Sequence, residues 1–142
     1  MIIGHGEHRG ALELLASELG IAPHLVWAGY HETDLAEHYR AADALLFTGC
    51  GSDEGHRAIL EGMACGVPPV AVPIDGIAAL VGGFGPEVMA VSEAPDAIAR
   101  TAVRLLSHDR GSLSEALVAH SLQFGYQAAA SRLIAVYEAI RH

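Results

Sequence analysis

Residues 48–69, TGCGSDEGHRAILEGMACGVPP, decide how the rest of the sequence reads. They follow an apolar, strand-like run, Ala44-Leu45-Leu46-Phe47, and open with turn-forming residues: Gly49, Gly51, Ser52 and Gly55. A helical pattern then runs over about residues 56–65. Ile59, Leu60 and Met63 form its apolar stripe, and Gly66 and Pro68 close it. A strand, a glycine-rich turn and a helix start make an anion site. The first helical N–H groups have no internal partner and carry the positive end of the dipole. The Asp53-Glu54 pair stands before the helix and Glu61 near its end. Amides for phosphate and carboxylates for hydroxyl groups suit a sugar nucleotide. The same features also serve plain architecture. A glycine-rich turn redirects the chain, and acidic residues at a helix start are ordinary dipole partners. The wider pattern has to separate the two.

Working outward, strand-like and helical segments alternate. Met1–Gly4 reads as a strand and Glu7 to Leu19 as a helix, with Leu12, Leu15, Ala16 and Leu19 on one face and Gly20 as its stop. Leu25–Ala28 is a second strand, ended by Gly29. A short helix follows over His31 to Ala41, started by Glu32 or Thr33, with Leu35, His38 and Tyr39 at compatible spacing. Val70–Val72, bounded by prolines, fits a strand buried on both faces. Ile77–Val81 is one helical turn, broken by Gly82, Gly83 and Gly85, and Val88–Val91 is a fifth strand. Three further helices follow: one from Ala94-Pro95 to about Ser107, one capped by Ser112, and one after Gly125. Alternation of this kind predicts an α/β fold, a Rossmann-like parallel sheet with helices on both faces, in a single domain over residues 1–142. Ligands of such sheets sit outside the carboxyl ends of the strands. The turns Gly4–Gly6, Gly29-Tyr30, Thr48–Glu54 and Pro73–Gly76 are therefore expected to converge on one crevice.

Composition narrows the partners. At 142 residues and 51% hydrophobic, the chain can bury a real core. A net charge of −9 argues against a nucleic acid or an anionic membrane surface as partner. The eight basic residues are all arginine, so no lysine chemistry is available. Cys50 and Cys65 have neither redox nor zinc spacing, and read as reduced thiols of a cytoplasmic protein. The nine histidines are scattered, so no metal site is assigned. No signal peptide or spanning segment is visible. The chain begins inside a strand, which reads as a domain cut from a longer protein.

The succession IIGHGEHRGALELLASELGI, LVWAGY, LAEHYRAADALLFTG, DEGHRAILEGMACGVPPVAVPIDG and SRLIAVYEAI resembles the C-terminal domain of retaining glycosyltransferases of the GT-B fold, family-4 type. EGMACGVPPV carries most of the likeness, which covers about residues 1–139. The resemblance implies a domain that binds a nucleoside-diphosphate sugar, UDP- or GDP-linked, as substrate, with no separate cofactor. In that family two glutamates eight positions apart flank the turn and helix. The second takes the ribose hydroxyls and the first lies by the donor sugar. Glu61 matches the second. Eight positions back lies Asp53, whereas Glu54 precedes Gly55 as the family's first glutamate precedes a glycine. Either Asp53 substitutes, or the loop is one residue shorter and Glu54 serves. By the same resemblance Gly55, His56, Arg57 and Ala58 give backbone N–H groups to the diphosphate, with Arg57 adding charge. Gly4, Gly29 and Tyr30 lie near the nucleotide, with Tyr30 placed to stack on the base.

The sequence departs from the family beyond the shift in the acidic pair. The glutamate expected after Asp75-Gly76 is missing, the chain reads on as Ile77-Ala78-Ala79-Leu80, and the family's upstream arginine and lysine have no counterpart here. The acceptor-binding N-terminal domain is absent as well, so the isolated chain is expected to be inactive. These departures also fit an alternative: a non-catalytic, Rossmann-like interaction module descended from such a domain, which would dimerise through an exposed sheet edge or face.

Overall fold

The computed structural model describes residues 1–48, 53–74, 76–109 and 111–141, with the backbone alone at 53–55. Contacts gather into two compact units, Met1–Leu35 and Ala36–His142. Every strand pairing among the described residues is parallel.

In the first unit, β1 (Ile2–Ile3) pairs with β2 (Trp27–Gly29), and α1 (Arg9–Glu18) makes the crossover between them. Gly20 adopts φ +70° just beyond α1, the left-handed conformation a helix stop needs. A 3₁₀ turn over Ala22–His24 takes up residues before the strand, so β2 starts at Trp27 rather than Leu25. The expected apolar stripe of α1 is only partly used. Ala16 is buried, while Leu12, Leu15 and Leu19 are exposed. Two strands of two and three residues offer too little surface to cover a ten-residue helix.

The second unit holds the core. After α2 (Leu35–Arg40), β3 (Leu45–Phe47) pairs in register with β4 (Pro69–Ala71), and α3 (Asp53–Ala64) is their crossover. The helix expected from His31 begins only at Leu35, because the His31 ring meets the Asp34 carboxylate at 2.9 Å and closes a turn ahead of it. Pro69 opens β4, where a missing N–H costs least, and all three residues of that strand are buried. Ile59 and Met63, one turn apart on α3, are fully buried with Phe47, Ala71, Ile77, Val81, Val88 and Leu117.

After β4 come α4 (Ile77–Val81), a 3₁₀ turn at Gly82–Phe84, and α5 (Gly85–Val88). The expected fifth strand shrinks to one bridge, Ala71 to Met89, with the Ala90 N–H donating to the Ala71 carbonyl at 2.8 Å. Pro86 fits the first turn of a helix, so residues before Met89 coil instead of extending. Then follow α6 (Pro95–Leu106), α7 (Gly111–Ser121), which packs on α3, and α8 (Tyr126–Ile140). Ser112 lies inside α7 rather than capping it. The Asp109 carboxylate accepts the Gly111 N–H at 3.1 Å instead. No helix among the described residues is long and apolar enough to cross a membrane.

Candidate functional site

The residues singled out in the sequence fall into two groups, one in each unit. In the second unit the group is built on α3. This helix starts at Asp53, about three residues earlier than its apolar pattern indicates. The difference moves the backbone donors. Helical bonds run from N–H to the carbonyl four residues back, so the Arg57 and Ala58 amides are spent on Asp53 and Glu54. The amides left free at the start are those of Asp53, Glu54 and Gly55. Of the four residues expected to offer amides, Gly55 lies among these first donors. His56 is the fourth helical residue, and the residue four back from its amide, Ser52, lies outside the described residues. The side chains of Asp53 and Glu54 lie outside the described residues, as do Gly49–Ser52 and Asp75. The choice between the two acids therefore lies there too.

Glu61 sits two turns further along α3, with its side chain 38% exposed. Both of its oxygens are engaged. Oε2 accepts the phenol O–H of Tyr39 at 3.2 Å, reaching from the last turn of α2. Oε1 faces Arg57 Nε at 3.4 Å, an i, i+4 pair whose arginine is 73% exposed. A pair so open to water is worth a few tenths of a kcal/mol, about 0.3–0.5 in helices, and opens readily. Burial first, and the Glu61 charge second, push the Tyr39 phenol up to about 12 from its usual 10.0. Tyr39 is thus a neutral hydrogen-bond donor at any physiological pH.

The imidazole of His56 lies against Gly76, the glycine of the turn after β4. A Cβ built on Gly76 would stand 3.1 Å from its Cε1, and Gly76 has φ +85°. A side chain there is disfavoured both by the backbone and by the ring. The turn after β4 and the first turns of α3 therefore meet, as the convergence of strand ends requires. His56 Nε2 is buried and has no hydrogen-bond partner among the described residues.

In the first unit, Gly4 and Gly29 end β1 and β2 with φ +115° and +82°. The Gly4 N–H donates to the Gly29 carbonyl at 2.6 Å, which ties the two turns together. Tyr30 is 64% exposed and meets the His5 ring edge-on at 5.5 Å. Beside them a cleft of ≈ 240 Å³ is lined by residues including Ile3, Gly4, His5, Arg9 and Trp27, and the Arg9 guanidinium lies over the Trp27 ring at 5.4 Å. Both ring nitrogens of His31 face oxygens, those of Asp34 and the Ala28 carbonyl.

A second cleft, of ≈ 330 Å³, is lined by residues including Ala42, Asp43, Gly66, Pro68, His108 and Asp109. Asp43 lies two residues before β3 and Pro68 immediately before β4, so this cleft lies at the amino ends of those strands, away from the end where Rossmann-like sheets bind ligands.

Residues 1–108 match the family model of the glycosyl transferases group 1. The chain belongs to this family. Its α/β, Rossmann-like fold with parallel pairing is that of the C-terminal domain of a GT-B group 1 glycosyltransferase. This glycosyltransferase domain is similar to the D-inositol 3-phosphate glycosyltransferase of Segniliparus rotundus, with 31% identity over 139 residues, covering 96% of the chain and 31% of the relative. It is similar to the protein of the same name from Geodermatophilus obscurus, with 35% identity over 129 residues, covering 90% and 28%. A GDP-mannose-dependent alpha-(1-6)-phosphatidylinositol monomannoside mannosyltransferase of Mycolicibacterium smegmatis shares 39% over 77 residues, covering 49% and 20%. The chain spans less than a third of the length of these curated relatives.

The contact between Tyr39 and Glu61 in this glycosyltransferase domain is not legible in the sequence. The spacing of Leu35, His38 and Tyr39 reads as a packing stripe. Nothing local in it marks a phenol that donates to a carboxylate 22 residues on. His56 is named for its amide, while the packing of its ring against Gly76 is not legible there.

Proposed function

We propose that this chain is the donor-binding part of a retaining glycosyltransferase, taking a UDP- or GDP-linked sugar as substrate. The observation that carries the reading is the setting of Glu61. It is a half-exposed carboxylate on a twelve-residue helix that follows a parallel strand, held on one side by a phenol and on the other by a solvent-screened arginine. In this reading the free amides of the first turn of α3 hold the diphosphate. Gly55 and Glu61 are separated by about 9 Å along the helix axis, at 1.5 Å per residue. That span suits a diphosphate at one end and ribose hydroxyls at the other. Asp53 or Glu54 then lies by the donor sugar. The fixed amide dipoles stabilise the charge that grows on the departing diphosphate. The acceptor hydroxyl is presented by a domain outside this chain, so the isolated chain binds donor without transferring sugar.

Saturation-transfer NMR with UDP and with GDP tests this. The wild-type chain should give ribose proton signals that Glu61→Ala removes. Equal signals from both proteins would end the ribose role of Glu61.

One observation favours the second reading, a non-catalytic interaction module. Helix α8 has no buried residue along its 15 positions, and Leu133, Ile134, Val136, Tyr137 and Ile140 are all more than half exposed. An apolar face of this kind marks an interaction surface. Analytical ultracentrifugation decides between the two. A dimer that survives dilution and ignores both nucleotides supports the module, and a monomer that binds nucleotide supports the donor domain.

A further inference from the structure

We propose that Tyr39 is a positioning residue for nucleotide binding: its phenol holds one oxygen of Glu61 so that the other is presented to a ribose hydroxyl. The inference rests on the donor-domain reading above and names the group that makes Glu61 a defined acceptor. A glutamate on a half-exposed helix face is free to swing through several rotamers, and ordering it on binding costs affinity. Tyr39 removes much of that freedom beforehand. Its ring is half-buried on α2, and its O–H reaches Glu61 Oε2 at 3.2 Å across 22 residues of sequence. The contact leaves Oε1 beside Arg57, whose side chain is 73% exposed, at 3.4 Å. An arginine that exposed can move aside for a ligand at small cost. The phenol also acts solely as a donor to the carboxylate, because it stays protonated across the range in which the protein works. A ligand hydroxyl therefore meets a carboxylate already oriented, with one oxygen held by the phenol and the other facing an exposed arginine.

The test is a comparison of ligands as much as of variants. Dissociation constants of UDP and 2′,3′-dideoxy-UDP, and of GDP and 2′,3′-dideoxy-GDP, are measured by calorimetry for four proteins: wild type, Tyr39→Phe, Glu61→Gln and the double variant. Phenylalanine keeps the ring and its packing, and circular dichroism checks that each variant is folded. Wild type should prefer the ribose form. Tyr39→Phe should reduce that preference about tenfold, the worth of one hydrogen bond to a charged group, while leaving affinity for the dideoxy form unchanged. Glu61→Gln should lower the preference as well, and adding Tyr39→Phe to it should change nothing more. If Tyr39→Phe weakens both forms equally, or leaves the preference intact, Tyr39 is a packing residue and the inference is overturned. If wild type itself shows no preference, or binds neither nucleotide, the ribose role of Glu61 falls and this inference falls with it.

Discussion

Gly82 and Gly83 are neighbours in one 3₁₀ turn, and their replacement by alanine should have opposite outcomes. Gly82 adopts φ +55° and ψ −132°, a region that residues with a side chain rarely enter. Holding alanine there costs about 1–3 kcal/mol. The added Cβ would stand 2.9 Å from Cε1 of His120. That ring cannot easily retreat. Its Nε2–H donates to the Leu80 carbonyl at 2.8 Å, and Phe84 and Phe124 each meet it edge-on with centroids 5.4 Å away. Overpacking of such a site adds about 1–3 kcal/mol, and a stiffer unfolded chain returns about 0.4–1 kcal/mol. The net expectation for Gly82→Ala is a loss of about 3 kcal/mol, or roughly 6–12 °C in Tm for a domain of this size. Gly83 has no atom within 4 Å of a built Cβ and no positive φ. Gly83→Ala should fall within about 0.5 kcal/mol of wild type, or gain slightly. Urea titration gives both values, and Gly82→Ala combined with His120→Ala isolates the steric share as a coupling of about 1–2 kcal/mol. If Gly82→Ala matches wild type, or both alanines cost the same, the argument from φ and the His120 contact is refuted.

Two further outcomes are expected. Met63→Ala removes a fully buried side chain from the core beneath α3, and should cost about 2–5 kcal/mol with the urea slope unchanged; a loss below 1 kcal/mol would show that α3 does not pack as described. Stability should also fall as pH rises between about 10 and 12. The Tyr39 phenol is held at about 12 when folded and returns to 10.0 when unfolded, so the unfolded chain releases its proton first. The full shift would be worth about 2.7 kcal/mol, and solvent around a half-exposed group cuts it to on the order of 1 kcal/mol. The difference in urea midpoint between wild type and Tyr39→Phe should shift between pH 9 and pH 11, with wild type losing ground; an unchanged difference refutes the assignment.

The order of elements was legible because glycine and proline punctuate it. Gly20, Gly29 and Gly66 take positive φ where the chain must turn. Pro69 opens a strand and Pro95 a helix, the places where a missing N–H costs least. Errors arose where two local signals competed. Glycine at 55 argued for loop, yet acids at 53 and 54 favour a helix start through the dipole, and the helix won. Val88–Val91 has strand propensity, but Pro86 suits a helical turn and leaves only the Met89 bridge. Three exposed leucines of α1 show a third limit. Periodicity tells which face of a helix is apolar, not how much surface stands opposite to cover it.

The site was legible in a different way. Glu61 was found by its place in a family pattern, and that pattern carried no geometry. Only the folded chain shows that its oxygens are already shared between a near neighbour and a distant one. Arg57 is a consequence of helical spacing and could be read from residue numbers. Tyr39 could not, since α2 and α3 are brought together by β3 and its pairing with β4. The distinction bears on how the proposed site would work. A partner at i−4 moves with the same helix and fixes nothing relative to the rest of the protein. A partner from another helix fixes the carboxylate against the core, which is what selecting a ribose at a set distance from the α3 amides requires. Under the proposed function, the residue hidden from the sequence is therefore the one that turns a matching glutamate into a binding site.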